Sequence, residues 1–330
     1  MNSLKTPLLL AFAFTSALAF NSCKKDKDDE PAATTPTTPY VACAPATSYT
    51  PTGATPRLVF KFKFDSTQVR LDNLGNPSTV PAGNAAQSPI FNFMSQHYIE
   101  LANDTNLVGT GKVLHVGTQT TAGGASAIDY CSSVQTADNA IFFATPISSI
   151  TPGSYKWLRI SLAYQNYTIS YKSTSLPTGY GTGTVASFIG FKTYITGYQI
   201  NGVSYNPSAA AGGQGNHLQG YWGFQTNVAG TNYFIDGQSA GATTVPNPLF
   251  ALSPIPAGSC LVTGQFVDNT LANAPLVITG LETSDIVITV SLSTNKSFEW
   301  IDSTPDGWYQ PEAGESVVDM GIRGMIPIKN

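Results

Sequence analysis

Oxygen-bearing side chains alternate along Asp302-Ser303-Thr304-Pro305-Asp306-Gly307. Ligands at every second position converge on one hard cation when a glycine lets the chain turn sharply, so Asp302, Thr304 and Asp306 suit Ca²⁺, with Gly307 at the turn. A two-oxygen carboxylate would complete the shell. Ala313 stands where an EF-hand loop places it, so Glu312 or Glu315 must supply it. The plainer reading is a polar hairpin in which Asp and Gly only shape the backbone.

Gly237-Gln238-Ser239-Ala240-Gly241 fits the G-x-S-x-G pattern of a nucleophile elbow. An elbow needs a helix directly after the serine, and Ala242-Thr243-Thr244-Val245-Pro246-Asn247-Pro248 cannot supply one. The base histidine should also follow the serine, but the last histidine is His217. The segment is read as a Gly/Ser loop, and no catalytic residue is assigned. His97, His115 and His217 could meet around a transition metal, yet none is paired at i, i+2 or i, i+4, so single structural histidines are favoured. Carboxylates are sparse in the middle of the chain, and the expectation is a protein that is not an enzyme.

Aromatic residues crowd one third of the sequence, among them Tyr164, Tyr167, Tyr221 and Trp222, beside Asn, Gln and Gly. Flat apolar faces with polar edges suit sugar rings or peptide partners. Those four residues are the candidate ligand contacts. Cross-strand pairs and core claim more than half of the aromatic set.

The elements that must position these groups are strands. Arg57–Asp65 alternates with Leu58, Phe60, Phe62 and Phe64 on one face and Lys61 and Lys63 on the other. Tyr155–Tyr164 places Leu158, Ile160, Leu162 and Tyr164 together, and Asp285–Ser293 places Ile286, Ile288, Val290 and Leu292 together. Shorter strands are expected at 97–101, 112–116, 140–145, 167–171, 185–198, 219–225, 232–235, 260–266, 276–281 and 317–325. Only Asn84–Ser95 comes near a helical register, and Pro89 breaks it. Many strands bounded by Gly, Pro and Asn predict an all-β fold with little helix. The expected form is an antiparallel β-sandwich of jelly-roll or Ig-like type with long Gly/Ser/Asn loops, such as 208–215 and 237–244.

Only 11% of residues are charged and the net charge is −4. A chain without a Lys/Arg stripe is a poor nucleic-acid binder, so no such partner is expected. The four cysteines are Cys23, Cys43, Cys131 and Cys260. With Cys23 modified, at most one internal disulfide remains. Cys131 with Cys260 is favoured; Cys43 with Cys260 stays open. No cysteine or histidine pair has zinc spacing.

Lys5, an apolar run from Pro7 to Phe14 and small residues before Cys23 have the anatomy of a secretory signal, and the run is too short for a resident membrane helix. Ala19-Phe20-Asn21-Ser22-Cys23 resembles a lipobox, with Phe20 where Leu is commoner, so cleavage before Cys23 and its acylation are expected. Ser22 to Glu30 resembles the start of Bacteroidota lipoproteins, in which acidic residues after the lipidated cysteine direct export to the cell surface. Thr34-Thr35-Pro36-Thr37-Thr38-Pro39 then reads as a stiff, extended stalk. The expected organisation is residues 1–22 as signal, 23–56 as lipidated cysteine and stalk, and 57–330 as one β-sandwich or two packed β subdomains.

Further into the chain, Tyr155–Tyr167 and Ile288–Trp300 resemble a family of Bacteroidota lipoproteins that brings no activity with it. A fainter similarity, through Pro152-Gly153-Ser154-Tyr155 and Tyr221-Trp222-Gly223-Phe224, is to copper-associated MbnP-like β proteins. The stretch from Asp302 to Glu315 is similar to Asp-x-Asn-x-Asp-Gly-x-x-x-Pro-x-x-Gly-Glu calcium loops of secreted bacterial proteins, apart from Thr304 and Pro305. Three functions follow as expectations. The first is a noncatalytic, outer-membrane, surface-exposed binder of a glycan or protein. The second is a Ca²⁺-stabilised structural envelope protein. The third is a copper-handling protein using His97, His115 or His217.

Overall fold

The computed structural model describes residues 43–103, 111–239 and 258–330, all within one compact unit, Val41–Asn330. Cys23, the signal segment and the first part of the stalk lie outside the described residues. The fold is all-β: among the described residues there are strands and short 3-10 turns, and no α-helix.

Two main sheets pack face to face. The smaller contains β1 (Arg57–Asp65), β4 (Ile141–Pro146), β10 (Ile286–Ser293) and β11 (Met325–Lys329), in spatial order β11-β10-β1-β4. The larger contains β2 (Ile90–Ala102), β3 (Lys112–Val116), β5 (Trp157–Lys172), β6 (Tyr180–Phe188), β7 (Tyr221–Val228), β8 (Thr231–Gln238) and β9 (Cys260–Gln265). Its order is β8-β7-β6-β5-β2-β3, with β9 also paired to β5. Leu58, Phe60 and Phe62 of β1 and Ile288, Val290 and Leu292 of β10 meet Ile99, Leu101, Leu158, Ile160, Leu162 and Val262 across the interface. Each such side chain contributes about 1.5–3 kcal/mol by leaving water.

Strand alternation places most elements where the sequence puts them, and β1 and β3 keep their expected limits. Three features differ. The central pair β1·β10 is parallel, Leu58 opposite Ile286 through Asp65 opposite Ser293, in an otherwise mostly antiparallel fold. Its two strands come from opposite ends of the body, with the whole larger sheet as their crossover. The expected strand 185–198 is broken, because β6 ends at Phe188 and Lys192–Ile195 joins a separate four-stranded sheet with Ala127–Asp129 and Gly215–Leu218. In keeping with the break at Pro89, the run Asn84–Ser95 forms no helix and divides into a short strand, Asn84–Gln87, and the start of β2.

The third difference is in β5. Leu158, Ile160 and Leu162 face the sandwich core, but Tyr164 faces the opposite way, into a second cluster with Tyr130, Phe188, Tyr198 and Tyr221. The cause lies at Ala163, whose carbonyl accepts N–H bonds from Ile189 (2.9 Å) and Gly190 (3.1 Å). There β6 leaves β5 and β9 replaces it: β6 pairs as far as Phe188 opposite Tyr164, and β9 begins at Cys260 opposite Leu162. The pairing with β2 slips at the same place, and a one-residue slip turns every later side chain to the other face. Gln165, Tyr167 and Ile169 therefore continue the core face while Tyr164 and Asn166 lie on the second.

Gly190 holds this junction closed. A Cβ there would lie 2.4 Å from Ile128 Cδ1 and 3.5 Å from Ala163 Cα. Gly190→Ala is expected to cost about 1–3 kcal/mol by overpacking, read as a lower melting temperature. Wild-type melting in that variant would show the junction to be plastic.

Candidate functional site

The second face of the larger sheet is covered along part of its length and open along the rest. The cover is the aromatic cluster with the hairpin Tyr198–Ile200/Val203–Tyr205 and the sheet around Lys192–Ile195. Beside it is a cleft of about 680 Å³. Asn92, Phe93 and Asn166 line it from the sheet, with Phe93 directly opposite Asn166 across β2 and β5. Tyr130, Gln135, Gln199 and Asn201 line the flank, and Ala44, Pro45 and Thr47 line the N-terminal segment.

Each amide is held by a bond the fold supplies. Asn92 Nδ2 donates to Asn166 Oδ1 (2.8 Å), and Asn166 Nδ2 donates to Tyr164 Oη (3.3 Å). Gln135 Nε2 donates to Tyr130 Oη (2.7 Å). Asn201 and Gly202 form the hairpin turn with φ of 50° and 75°, the left-handed pair that a two-residue hairpin requires. Asn201 Nδ2 then donates to Thr184 Oγ1 (3.0 Å) and Gln225 Oε1 (2.9 Å), pinning the hairpin tip to the sheet. The result is a shallow cleft with half-buried Phe93 as its aromatic surface, surrounded by fixed amides. Such a set can hydrogen-bond a polyhydroxylated ligand while an apolar ring lies against one of its faces.

The N-terminal side is fastened covalently. Cys43 is bonded to Cys131, with Cα atoms 5.4 Å apart, and Cys260 is a free, buried thiol. This corrects the expected Cys131–Cys260 pairing and also the Cys43–Cys260 alternative. Cys260 points into the sandwich core from β9, whereas Cys131 lies in an exposed turn on the other side of the larger sheet. Residues 43–56, assigned by composition to the stalk, lie against the body: Gln135 N–H donates to Ala46 C=O (2.8 Å) and Tyr49 Oη to Ala144 C=O (3.0 Å).

Of the four aromatic residues expected to touch ligand, three do not reach the surface. Tyr164, Tyr167 and Tyr221 are fully buried, Tyr167 in the sandwich core and the other two in the second aromatic cluster. Trp222 is half-buried and packs on the backbone of Gly237, where a Cβ would lie 2.9 Å from its ring. None of the four lines the cleft. The cleft residues that sequence reasoning missed carried two readable signals. Asn201-Gly202 between short apolar runs marks a hairpin, and Gln165-Asn166 places two amides inside a strand otherwise rich in apolar and aromatic residues.

The side chains of the Asp302–Glu315 loop diverge. Asp306 accepts from Lys172 Nζ (2.5 Å) and Gln310 Nε2 (3.0 Å), and these bonds, the ammonium foremost, hold its carboxyl below the usual range. Glu312 turns to the turn after β5, accepting from Ser173 Oγ and Thr174 N–H (3.1 Å). Asp302 Oδ2 accepts from Gly307 N–H (3.1 Å), and Thr304 contributes its N–H to Glu315 (3.4 Å). Burial, reinforced by the Asp302 carboxylate, raises the pKa of Glu315 against the N–H bonds from Gln310 and Thr304. Only Asp302 and Glu315 are brought together, and Asp302 Oδ1 is buried with no partner.

Gly237 and Gln238 belong to the edge strand β8 rather than to a loop, and Ser239 N–H donates to Gly220 C=O (2.8 Å). Positions 240–244 of the expected loop, and with them the end of the G-x-S-x-G motif, lie outside the described residues. His217 Nε2 lies 2.7 Å from Gly213 C=O and its ring packs on Tyr221. Among the described residues, no three His, Cys, Asp or Glu side chains converge as a metal set. The chain matches no family model, no curated protein and no solved structure.

Two measurable consequences follow from buried groups. The Cys260 thiol is pushed up to about 12 by burial, so native protein should resist alkylation there and react only after unfolding; the peptide map should join Cys43 to Cys131. Modification of Cys260 in the native state would contradict the packing. His97 is almost fully buried with neither ring nitrogen bonded, and burial, aided by nearby His115, lowers its pKa to about 3. Between that value and about 6.5 the unfolded chain binds more protons, so stability should fall as pH drops from 6.5 towards 3. The slope is about 1.4 kcal/mol per pH unit. Urea titrations of wild type and His97→Leu should show a flatter profile in the variant; parallel profiles would assign the slope elsewhere.

Proposed function

We propose that this chain is a noncatalytic, lipid-anchored protein of the outer cell surface that binds a glycan in the amide-lined cleft. The single observation that carries the binding half is the cleft itself, with Asn92, Gln135, Asn166, Gln199 and Asn201 arranged around Phe93. The anchoring half rests on the residues around Cys23 and the acidic run after it. Amides fixed by the fold lose little freedom on binding, which favours recognition of a flexible, hydroxyl-rich ligand. A glycan array probed with residues 41–330 tests the first half. Asn92→Ala and Asn201→Gly should each weaken a positive signal about 5- to 30-fold, the range of one or two lost hydrogen bonds. Silence across the array, or affinity untouched by both variants, would reject the cleft. Cys23→Ala should move the protein out of the membrane fraction and abolish fatty-acid labelling.

A second reading is favoured by one observation, the unpartnered Asp302 Oδ1 beside Glu315. A structural Ca²⁺ ion would satisfy both carboxylates and relieve their repulsion. Binding at 100 times its dissociation constant would add about 2.7 kcal/mol to stability. Melting should then occur at higher temperature in Ca²⁺ than in EDTA, with the difference lost in Asp302→Asn. Identical melting in both would dispose of the ion.

A further inference from the structure

The amides of the cleft do not present their two ends equally. Each of the five NH₂ groups is engaged within the protein: Asn92 and Asn166 on the sheet, Gln135 on Tyr130, Asn201 on Thr184 and Gln225, and Gln199, most weakly, on Ser204 Oγ (3.5 Å). Among the described residues no group donates to the carbonyl oxygens of Asn92, Gln135 and Asn201, and these are not among the buried unpartnered atoms. They face solvent as acceptors. Among the described residues the one charged member of the lining is Asp138, a carboxylate whose oxygens receive Phe64 N–H (2.7 Å) and Asn139 Nδ2 (2.7 Å), and no Lys, Arg or His lines the cleft.

A surface richer in free oxygen lone pairs than in free N–H groups, with one negative charge and, among the described residues, no cation, attracts donors and repels anions. Sugar hydroxyls can turn their hydrogens towards it, and a sugar amine brings N–H groups and, when protonated, positive charge. A carboxylate or sulfate group brings only acceptors and would be desolvated beside Asp138 with no cation among the described lining residues to compensate its charge. We propose that this cleft selects neutral or amine-bearing glycans and excludes those carrying carboxylate or sulfate. The proposal rests on the glycan reading given above and adds the class of sugar.

The test uses the full chain in detergent, titrated calorimetrically at low salt with three oligosaccharides of equal length. These are a neutral hexose oligomer, a glucosamine oligomer and a galacturonate oligomer. The neutral and amine-bearing oligomers should bind, and the galacturonate oligomer should bind at least tenfold more weakly than either. Gln199→Glu, at an exposed position whose partner is the Ser204 hydroxyl, which can donate to a carboxylate instead, should tighten the amine-bearing ligand and weaken the galacturonate further; Gln135→Glu, whose partner is the Tyr130 hydroxyl, should act in the same direction. Tighter binding of galacturonate that is lost in these variants would overturn the selectivity while leaving the cleft as the binding site. Absence of binding by all three, or binding indifferent to both variants, would overturn the glycan reading together with the selectivity.

Discussion

The structure depends on one strand, β5, that is buried on both faces and changes partner at Ala163. A strand covered on two sides must satisfy two different packing environments, and β5 does so by slipping one residue where β6 gives way to β9. Before the slip, Leu158, Ile160 and Leu162 complete the sandwich core while Arg159 and Ser161 face outward. After it, Tyr167 and Ile169 take over the core and Tyr164 begins the second cluster. Without the slip, Tyr164 would enter the sandwich and Gln165 would take its place among the tyrosines. The slip therefore decides which aromatic residues build the interior.

The outward face of β5 carries unlike chemistry on the two sides of the junction. Arg159 lies 3.5 Å from Glu100, both fully buried, and Tyr98 Oη donates to the same carboxylate (3.0 Å). Breaking such a pair by removing one member is costly, because the other is left charged in a poor solvent. This end is structural. Beyond the junction Asn166 stands on the same face with Thr184 and Gln225 near it, neutral groups that tolerate water and protein alike. Only that end opens into a cleft. A second buried ion group, Arg70 and Arg323 around Glu299 with Asp319, fastens the C-terminal strands to the loop after β1.

Alternation made the strands legible, because Leu58, Phe60 and Phe62 or Ile288, Val290 and Leu292 leave no second way to hide from water. Pairing was not legible. Nothing local in Arg57–Asp65 marks Ile286–Ser293 as its parallel neighbour, since the match is made through a core common to both. The aromatic residues misled for a related reason: a Tyr-rich run is equally a surface and an interior, and Tyr164 and Tyr221 are interior because Tyr130, Phe188 and Tyr198 pack over them, Tyr167 because Phe91 and Phe298 do. The disulfide was hidden likewise, since spacing cannot show that Cys260 faces the core while Cys43 and Cys131 meet on the other side. The cleft was legible in fragments. Asn201-Gly202 announced its turn, but only the fold brings that turn to Asn92 and Asn166.

The bond between Cys43 and Cys131 also orders how load would pass through the molecule. On the anchoring proposed here, nineteen residues lie between Cys23 and Cys43, a tether that could reach at most about 70 Å. Tension from the envelope would enter the body at Cys43 and pass to Cys131 through covalent bonds. Ala44, Pro45 and Thr47, which line the cleft, lie on the body side of that attachment. They are thus shielded from a pull that would otherwise peel them away, beginning with the bond from Gln135 N–H to Ala46 C=O. Hydrogen bonds and apolar contacts alone would let the wall open under load and close when it ceased. On that anchoring, a covalent fastening ahead of the wall would keep the N-terminal side of the cleft in place and pass the load to the turn Tyr130–Ser132 on its flank.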